Sequence, residues 1–215
     1  MKGLLVVLLL ALLCDAGFAE EKHRTDREIP KFGMTPAQES VFEETITAIG
    51  SLEPKKVAIG APVYFRLTRF ARLFGFSFDG QRLRDWLLRR MKSVTHANTW
   101  TIATNDNGGD FTLGDRFFEK SDFLERAYAL IHEARHSDGG GHPHVRCPSD
   151  FRQVSAGTPE IDVTAAAACD DESDGAYAFQ SAFLFELYAR DMVDQQEAGL
   201  LYNSSVARVL GKQKK

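Results

Sequence analysis

The chain has 215 residues, 44% of them hydrophobic and 26% charged, with a formal net charge of -4. This is ordinary globular composition, which excludes disorder and gives enough length for one well-packed domain or two small lobes. No motif or overall basicity gives a specific nucleic-acid signal.

At the N-terminus, Lys2 precedes an apolar run from Gly3 to Leu13 and the small-residue stretch Ala16-Gly17-Phe18-Ala19. Residues 1–19 therefore have the form of a secretory signal peptide cut after Ala19. The run is too short for a permanent anchor, so no transmembrane span remains after cleavage. Cys14 offers a rival in which its thiol becomes a lipidated N-terminus. The large Leu13 stands where such sites carry a small residue, so simple export, secreted or periplasmic, is favoured. Cleavage would remove one Lys and one Asp and leave two cysteines, Cys147 and Cys169. A pair in an exported chain points to a disulfide worth about 3 kcal/mol; free thiols or soft zinc ligands are the alternative.

Residues 20–34, charged and ending in Pro30 and Gly33, read as a flexible lead-in to a single domain over 35–215. A first helix is punctuated by Thr35 as cap, Pro36 at the first position, Gln38 completing a capping box and Gly50 as stop. Val41, Phe42, Thr45, Ile46 and Ile49 form its inner face. After Gly60-Ala61-Pro62, Arg66, Arg69 and Arg72 recur at helical spacing among aromatic residues from Val63 to Phe78. A further helix is expected over Asp79 to Lys92, with Leu83, Trp86, Leu87 and Met91 inward and Arg82, Arg89 and Arg90 outward.

Pro62 to Lys92 carries eight basic and two acidic side chains, whereas residues 93–175 carry six basic and fifteen acidic. The basic zone, through Arg66, Arg69, Arg72, Arg89 and Arg90, could hold an anionic surface. The favoured reading is plainer, a solvated helix face whose arginine stems cover apolar surface. Thr99 to Thr104 and Asp110 to Phe118, parted by Asn105-Asp106-Asn107-Gly108-Gly109, read as strands of a hairpin or meander.

The chemistry concentrates in His132-Glu133-Ala134-Arg135-His136-Ser137-Asp138-Gly139-Gly140-Gly141-His142. On a helix, residues four apart project from one face, so His132 and His136 can aim imidazole nitrogens at one ion. Glu133 lies about 100° away, a poor third ligand but well placed beside a metal-bound water. Phe123, Leu124, Ala127, Tyr128, Leu130, Ile131 and Ala134 span an arc of about 160°, and the histidines lie nearly opposite. Ser121 is the expected N-cap and Gly139 the expected reversal point, returning His142 to the ion.

These eleven residues fill every fixed position of H-E-x-x-H-x-x-G-x-x-H, and in this the chain resembles the zincin metallopeptidases, in their metzincin form. The pattern departs from that form downstream: metzincins place a methionine in a tight turn beneath the metal, and the one methionine after the motif is Met192. The resemblance implies an α+β fold, a mainly helical zincin-like domain with a small β-sheet or hairpin edging the cleft. It implies Zn2+ held by His132, His136 and His142, with Asp138, Glu172 or His144 as alternative third ligands. It also implies hydrolysis of peptide or amide bonds in a peptide or protein substrate, with Glu133 as general base.

Phe111-Thr112-Leu113-Gly114-Asp115-Arg116 is the expected substrate-pairing edge. Tyr177, Arg146, His144 and Tyr188 are candidate oxyanion or substrate contacts. A non-catalytic metal-binding or cell-envelope interaction protein on the same scaffold is the rival function. A strong last helix is expected from Gly175 to Met192.

Overall fold

A computed structural model describes residues 28–99, 101–149, 151 and 167–211. The signal-peptide assignment, Cys14 and most of the lead-in lie outside these residues. The fold is α+β, as expected.

The first helix, α1 (Pro36–Gly50), begins where its punctuation says it should. Thr35 accepts from the Gln38 amide while the Thr35 amide donates to Gln38 Oε1 at 2.9 Å. Phe42, Thr45, Ile46 and Ile49 form its buried face. The single helix suggested by Arg66, Arg69 and Arg72 is instead two short ones, α2 (Ala61–Leu67) and α3 (Phe70–Phe74).

The break is at Thr68, which turns extended (ψ 133°) and donates its hydroxyl to Glu186 Oε1 at 2.6 Å. Glu186 is buried and also accepts from Tyr64 Oη and from Arg190 Nε, 2.9 Å away. A buried carboxylate needs such partners, and supplying them overrides the local helix pattern.

Helix α4 (Gly80–Arg90) is capped by Asp79 and buries Leu83, Trp86 and Leu87, as the wheel requires. It packs on α1. A side chain at Gly80 would press into the backbone of Ile49 and Leu52, so glycine permits this approach. Arg90 was expected to point outward. It lies over the Trp86 ring, 4.1 Å from its centroid, and pairs through Nε with Asp138 Oδ1 at 2.9 Å, off the direction of a hydrogen bond.

The larger sheet contains β1 (Lys31–Phe32), β2 (Ser93–His96), β3 (Ala103–Asn105) and β4 (Asp110–Leu113), in the order β1-β2-β4-β3. The first three are parallel neighbours, and β3 runs antiparallel to β4 at the edge. Three expectations change here. Lys31 and Phe32, assigned to the flexible lead-in, form a paired strand. The hairpin exists, but its second arm stops at Leu113, and Asp115–Glu119 is a short helix, α5. Above all, β4 is an interior strand between β2 and β3, so Phe111 to Leu113 offers no free edge, and β3 is the outer strand on that side.

Three longer helices complete the fold: α6 (Phe123–His136), α7 (Ala176–Ala189) and α8 (Gln195–Ala207). Twelve of the fourteen residues of α7 are buried, which makes it the hub: α3, α6 and α8 all pack on it. A helix apolar on nearly all sides must be enclosed, and this one is.

A separate ribbon, β5 (Val145–Arg146) with β6 (Ala167–Cys169), is antiparallel and crosslinked by Cys147–Cys169. Among the described residues no helix is long and apolar enough to cross a membrane.

Candidate metal centre

Helix α6 carries the motif. Its N-cap is Asp122, whose side chain accepts from the Glu125 amide at 2.8 Å; Ser121, the expected cap, is buried instead. Leu124, Ala127, Leu130, Ile131 and Ala134 join the core as the wheel predicts. The opposite face is not open to solvent. His132 and His136 are only 8% and 7% exposed. Their ring centroids are 5.1 Å apart.

The chain reverses later than Gly139. Positive φ values fall on Gly140 (92°), Gly141 (70°) and His142 (43°). The shift moves the third histidine. His144, directly before β5, has its Nε2 3.0 Å from His132 Nε2, and one donor atom from each of His132, His136 and His144 lies within 4.8 Å of the others. His142 stands outside this group, with Nδ1 2.7 Å from Glu172 Oε2.

The other third-ligand candidates are engaged elsewhere. Asp138 is clamped by Arg90 and by Arg135, whose Nη1 is 2.6 Å from Oδ2. Glu172 is turned to His142.

The partners of the three rings determine which nitrogen of each is free. Ser205 donates its hydroxyl to Leu201 O at 2.6 Å, so its oxygen accepts from Gln180 Nε2 at 2.9 Å. That orients the Gln180 amide with Oε1 toward His132 Nδ1, 2.9 Å away, and an amide oxygen only accepts. His136 Nδ1 faces the Gly141 carbonyl at 2.7 Å, and His144 Nδ1 faces Asp170 Oδ1 at 2.8 Å. All three Nδ1 atoms therefore carry hydrogen, which leaves Nε2 as the nitrogen of each ring that an ion could use.

Two lone pairs facing each other at 3.0 Å repel unless a proton or a cation lies between them. Burial first, then His144 and His136, push His132 well below the usual histidine range, and burial lowers His136 too, so these two rings resist protonation. Three imidazole nitrogens gathered this closely fit a divalent transition ion, whose tetrahedral ligand nitrogens lie about 3.3 Å apart.

Sequence reading missed Asp170, Gln180, Ser205 and Asn105. Asp170 is 2% exposed and also accepts from the Tyr177 amide at 2.7 Å, in the first turn of α7. A side chain at Gly175 would collide with the Asp170 carboxylate. Gln180→Leu should weaken metal binding about 10- to 100-fold, by removing the acceptor that orients His132. Competition with a chromophoric chelator measures this, and unchanged affinity would discard the relay.

Glu133 is half-buried, and burial pushes its carboxyl up to about 8 against an opposing backbone amide at Asn105. Asn105, on the outer strand β3, donates from Nδ2 to Glu133 O at 2.6 Å and Ser137 Oγ at 2.7 Å. These bonds hold the sheet edge against the motif helix.

Tyr177 walls the cluster, its ring centroid 4.5 Å from that of His132 and 4.9 Å from that of His144, and Arg208 Nη1 donates to its hydroxyl at 2.7 Å. Arg146 is exposed on β5, and Tyr188 packs against the core beside Gly199 of α8.

The disulfide forms as expected and bears directly on the cluster. Val145 pairs with Cys169, so the crosslinked ribbon carries His144 at the end of one strand and Asp170 at the end of the other. The segment after α8 adds a second restraint, because the Asp170 amide donates to Arg208 O and the Leu210 amide to Asp170 O, both at 2.8 Å.

Comparisons with protein-family models, curated proteins and solved structures found no match.

Proposed function

We propose that the protein is an exported, zinc-dependent hydrolase of peptide or amide bonds, with His132, His136 and His144 as ligands and Glu133 as general base. The observation that carries the reading is the gathering of one nitrogen from each of His132, His136 and His144 within 4.8 Å, on the helix that also bears Glu133, whose carboxyl burial pushes up to about 8. A zinc ion held there would supply Lewis acidity toward water and a carbonyl oxygen.

The chain's own residues do the rest. Glu133 takes a proton from the attacking water and passes it to the leaving nitrogen, and a carboxyl titrating near 8 suits proton transfer close to neutral pH. Gln180, Asp170 and the Gly141 carbonyl keep the imidazoles aimed. An extended peptide adds to the edge of β3, beside Glu133, through main-chain hydrogen bonds. The Cys147–Cys169 disulfide supports export, since such bonds persist in oxidising compartments.

The burial of His132 and His136 favours a second reading, a metal-binding scaffold without turnover. Metal analysis combined with hydrolysis of an unfolded protein substrate separates the two. The hydrolase reading expects about one equivalent of zinc and cleavage abolished by a chelator and restored by zinc. One equivalent of metal with no cleavage of any peptide library would leave the scaffold reading.

A further inference from the structure

Among the described residues, five large apolar side chains are exposed, and three of them sit on the seven residues of α2: Val63 (41%), Phe65 (76%) and Leu67 (37%). The helix buries none of its residues. It is nevertheless firmly held. Tyr64 and Thr68, one turn apart, both reach Glu186, and Arg190 Nη2 adds a bond to Tyr64 Oη at 2.9 Å. The Phe65 ring leans edge-on against Tyr64, with centroids 5.4 Å apart. With Tyr64 and Thr68 fixed inward, Phe65, Arg66 and Leu67 are turned outward and cannot fold back to hide.

Charge gives this protrusion a direction. Between Glu53 and Asp79 the chain has five basic residues and no acidic one, in a protein of net charge -4. Arg66, Arg69 and Arg72 are all exposed.

We propose that α2 and the arginines around it dock the protein on an anionic lipid surface. Phe65, Val63 and Leu67 enter the interface between headgroups and acyl chains, and Arg66, Arg69 and Arg72 pair with lipid phosphates. Arg66 lies among the apolar residues, where its long stem can share their depth while the guanidinium stays at the phosphates. An acidic protein partner fits less well, because a stable protein interface needs a broad complementary face of about 800 Å² per partner, and the exposed apolar side chains here are three on one seven-residue helix. Glu186, which anchors α2, is six residues beyond Gln180 on α7, about 9 Å along the helix axis, so docking here leaves the histidine cluster free. The proposal is independent of any hydrolytic activity.

Co-sedimentation of the full chain with vesicles tests it. Vesicles of phosphatidylcholine with about one third phosphatidylglycerol should retain the protein, vesicles of phosphatidylcholine alone should not, and about 0.5 M salt should release it. Phe65→Ser should weaken retention about tenfold, and Arg66→Ala and Arg69→Ala about fivefold each. All three positions are exposed, so thermal melts of the variants should match the parent. No binding to anionic vesicles, equal binding to both kinds, or full retention by the Phe65 or the arginine variants would overturn the proposal, as would binding only to an acidic protein surface.

Discussion

Replacing His144 with alanine should strip the protein of its metal, taking zinc from about one equivalent to less than about 0.2 after dialysis, while His142→Ala should keep nearly all of it. The two residues are separated only by Pro143, yet they face different partners. His144 directs Nε2 at His132 and receives its orientation from a buried carboxylate. His142 gives Nδ1 to Glu172 and lies outside the cluster.

Losing one of three protein ligands should weaken affinity by more than about a hundredfold, beyond the loss expected from removing a supporting partner alone. Elemental analysis of both variants, with circular dichroism to establish folding, reads the result. If His142→Ala lost the metal and His144→Ala kept it, the ligand set would be the one first suggested by motif spacing.

Glu133→Gln should lower turnover about 10²- to 10⁴-fold without changing metal content, because the residue contributes no donor atom to the cluster and its proposed task is proton transfer. The same variant has a signature in the metal-free protein that needs no substrate. Glu133 has a folded value of about 8 against an ordinary 4.5, so between those values the folded state holds a proton that the unfolded state has released. Stability from this group is therefore fully present below about pH 4.5, falls as pH rises and levels off above about 8. The total is on the order of a few kcal/mol.

Glutamine does not titrate. Chelated parent and variant should therefore melt together near pH 4.5 and diverge at pH 9, with the variant more stable. Parallel profiles would mean that Glu133 is better solvated than its surroundings indicate.

What could be read from the sequence was local. The Thr35 capping box, the apolar stripes of α1, α4 and α6, and the His132–His136 pair depend on residues within a turn or two of one another, and all appear where periodicity places them. The cysteine pair was legible because Cys147 and Cys169 are the two cysteines outside residues 1–19, the stretch expected to be removed as a signal peptide.

Features depending on distant contacts were not legible. The helix break at Thr68 answers a carboxylate at Glu186. Strands β1 and β2 are two and four residues long, too short for an alternation to show. Gln180, Ser205 and Asp170 bear no signal as partners of the histidine cluster until α7, α8 and β6 are brought against α6. The third histidine turned on which of three successive glycines takes positive φ, and spacing alone favoured the first of them.

The crosslink between the short ribbon strands makes the third histidine answerable to a reductant in a way that the first two are not. His132 and His136 are positioned by a helix that needs no covalent help. His144 and Asp170 flank the ribbon strands, where Cys147, Ala168 and Cys169 form a small apolar cluster apart from the main core. With both thiols reduced, the arm bearing His144 would be tied to the Asp170 arm by the β5–β6 backbone pairing alone, while Asp170 keeps its bonds to the Arg208 and Leu210 backbone. Reductant should therefore loosen the third histidine before the first two.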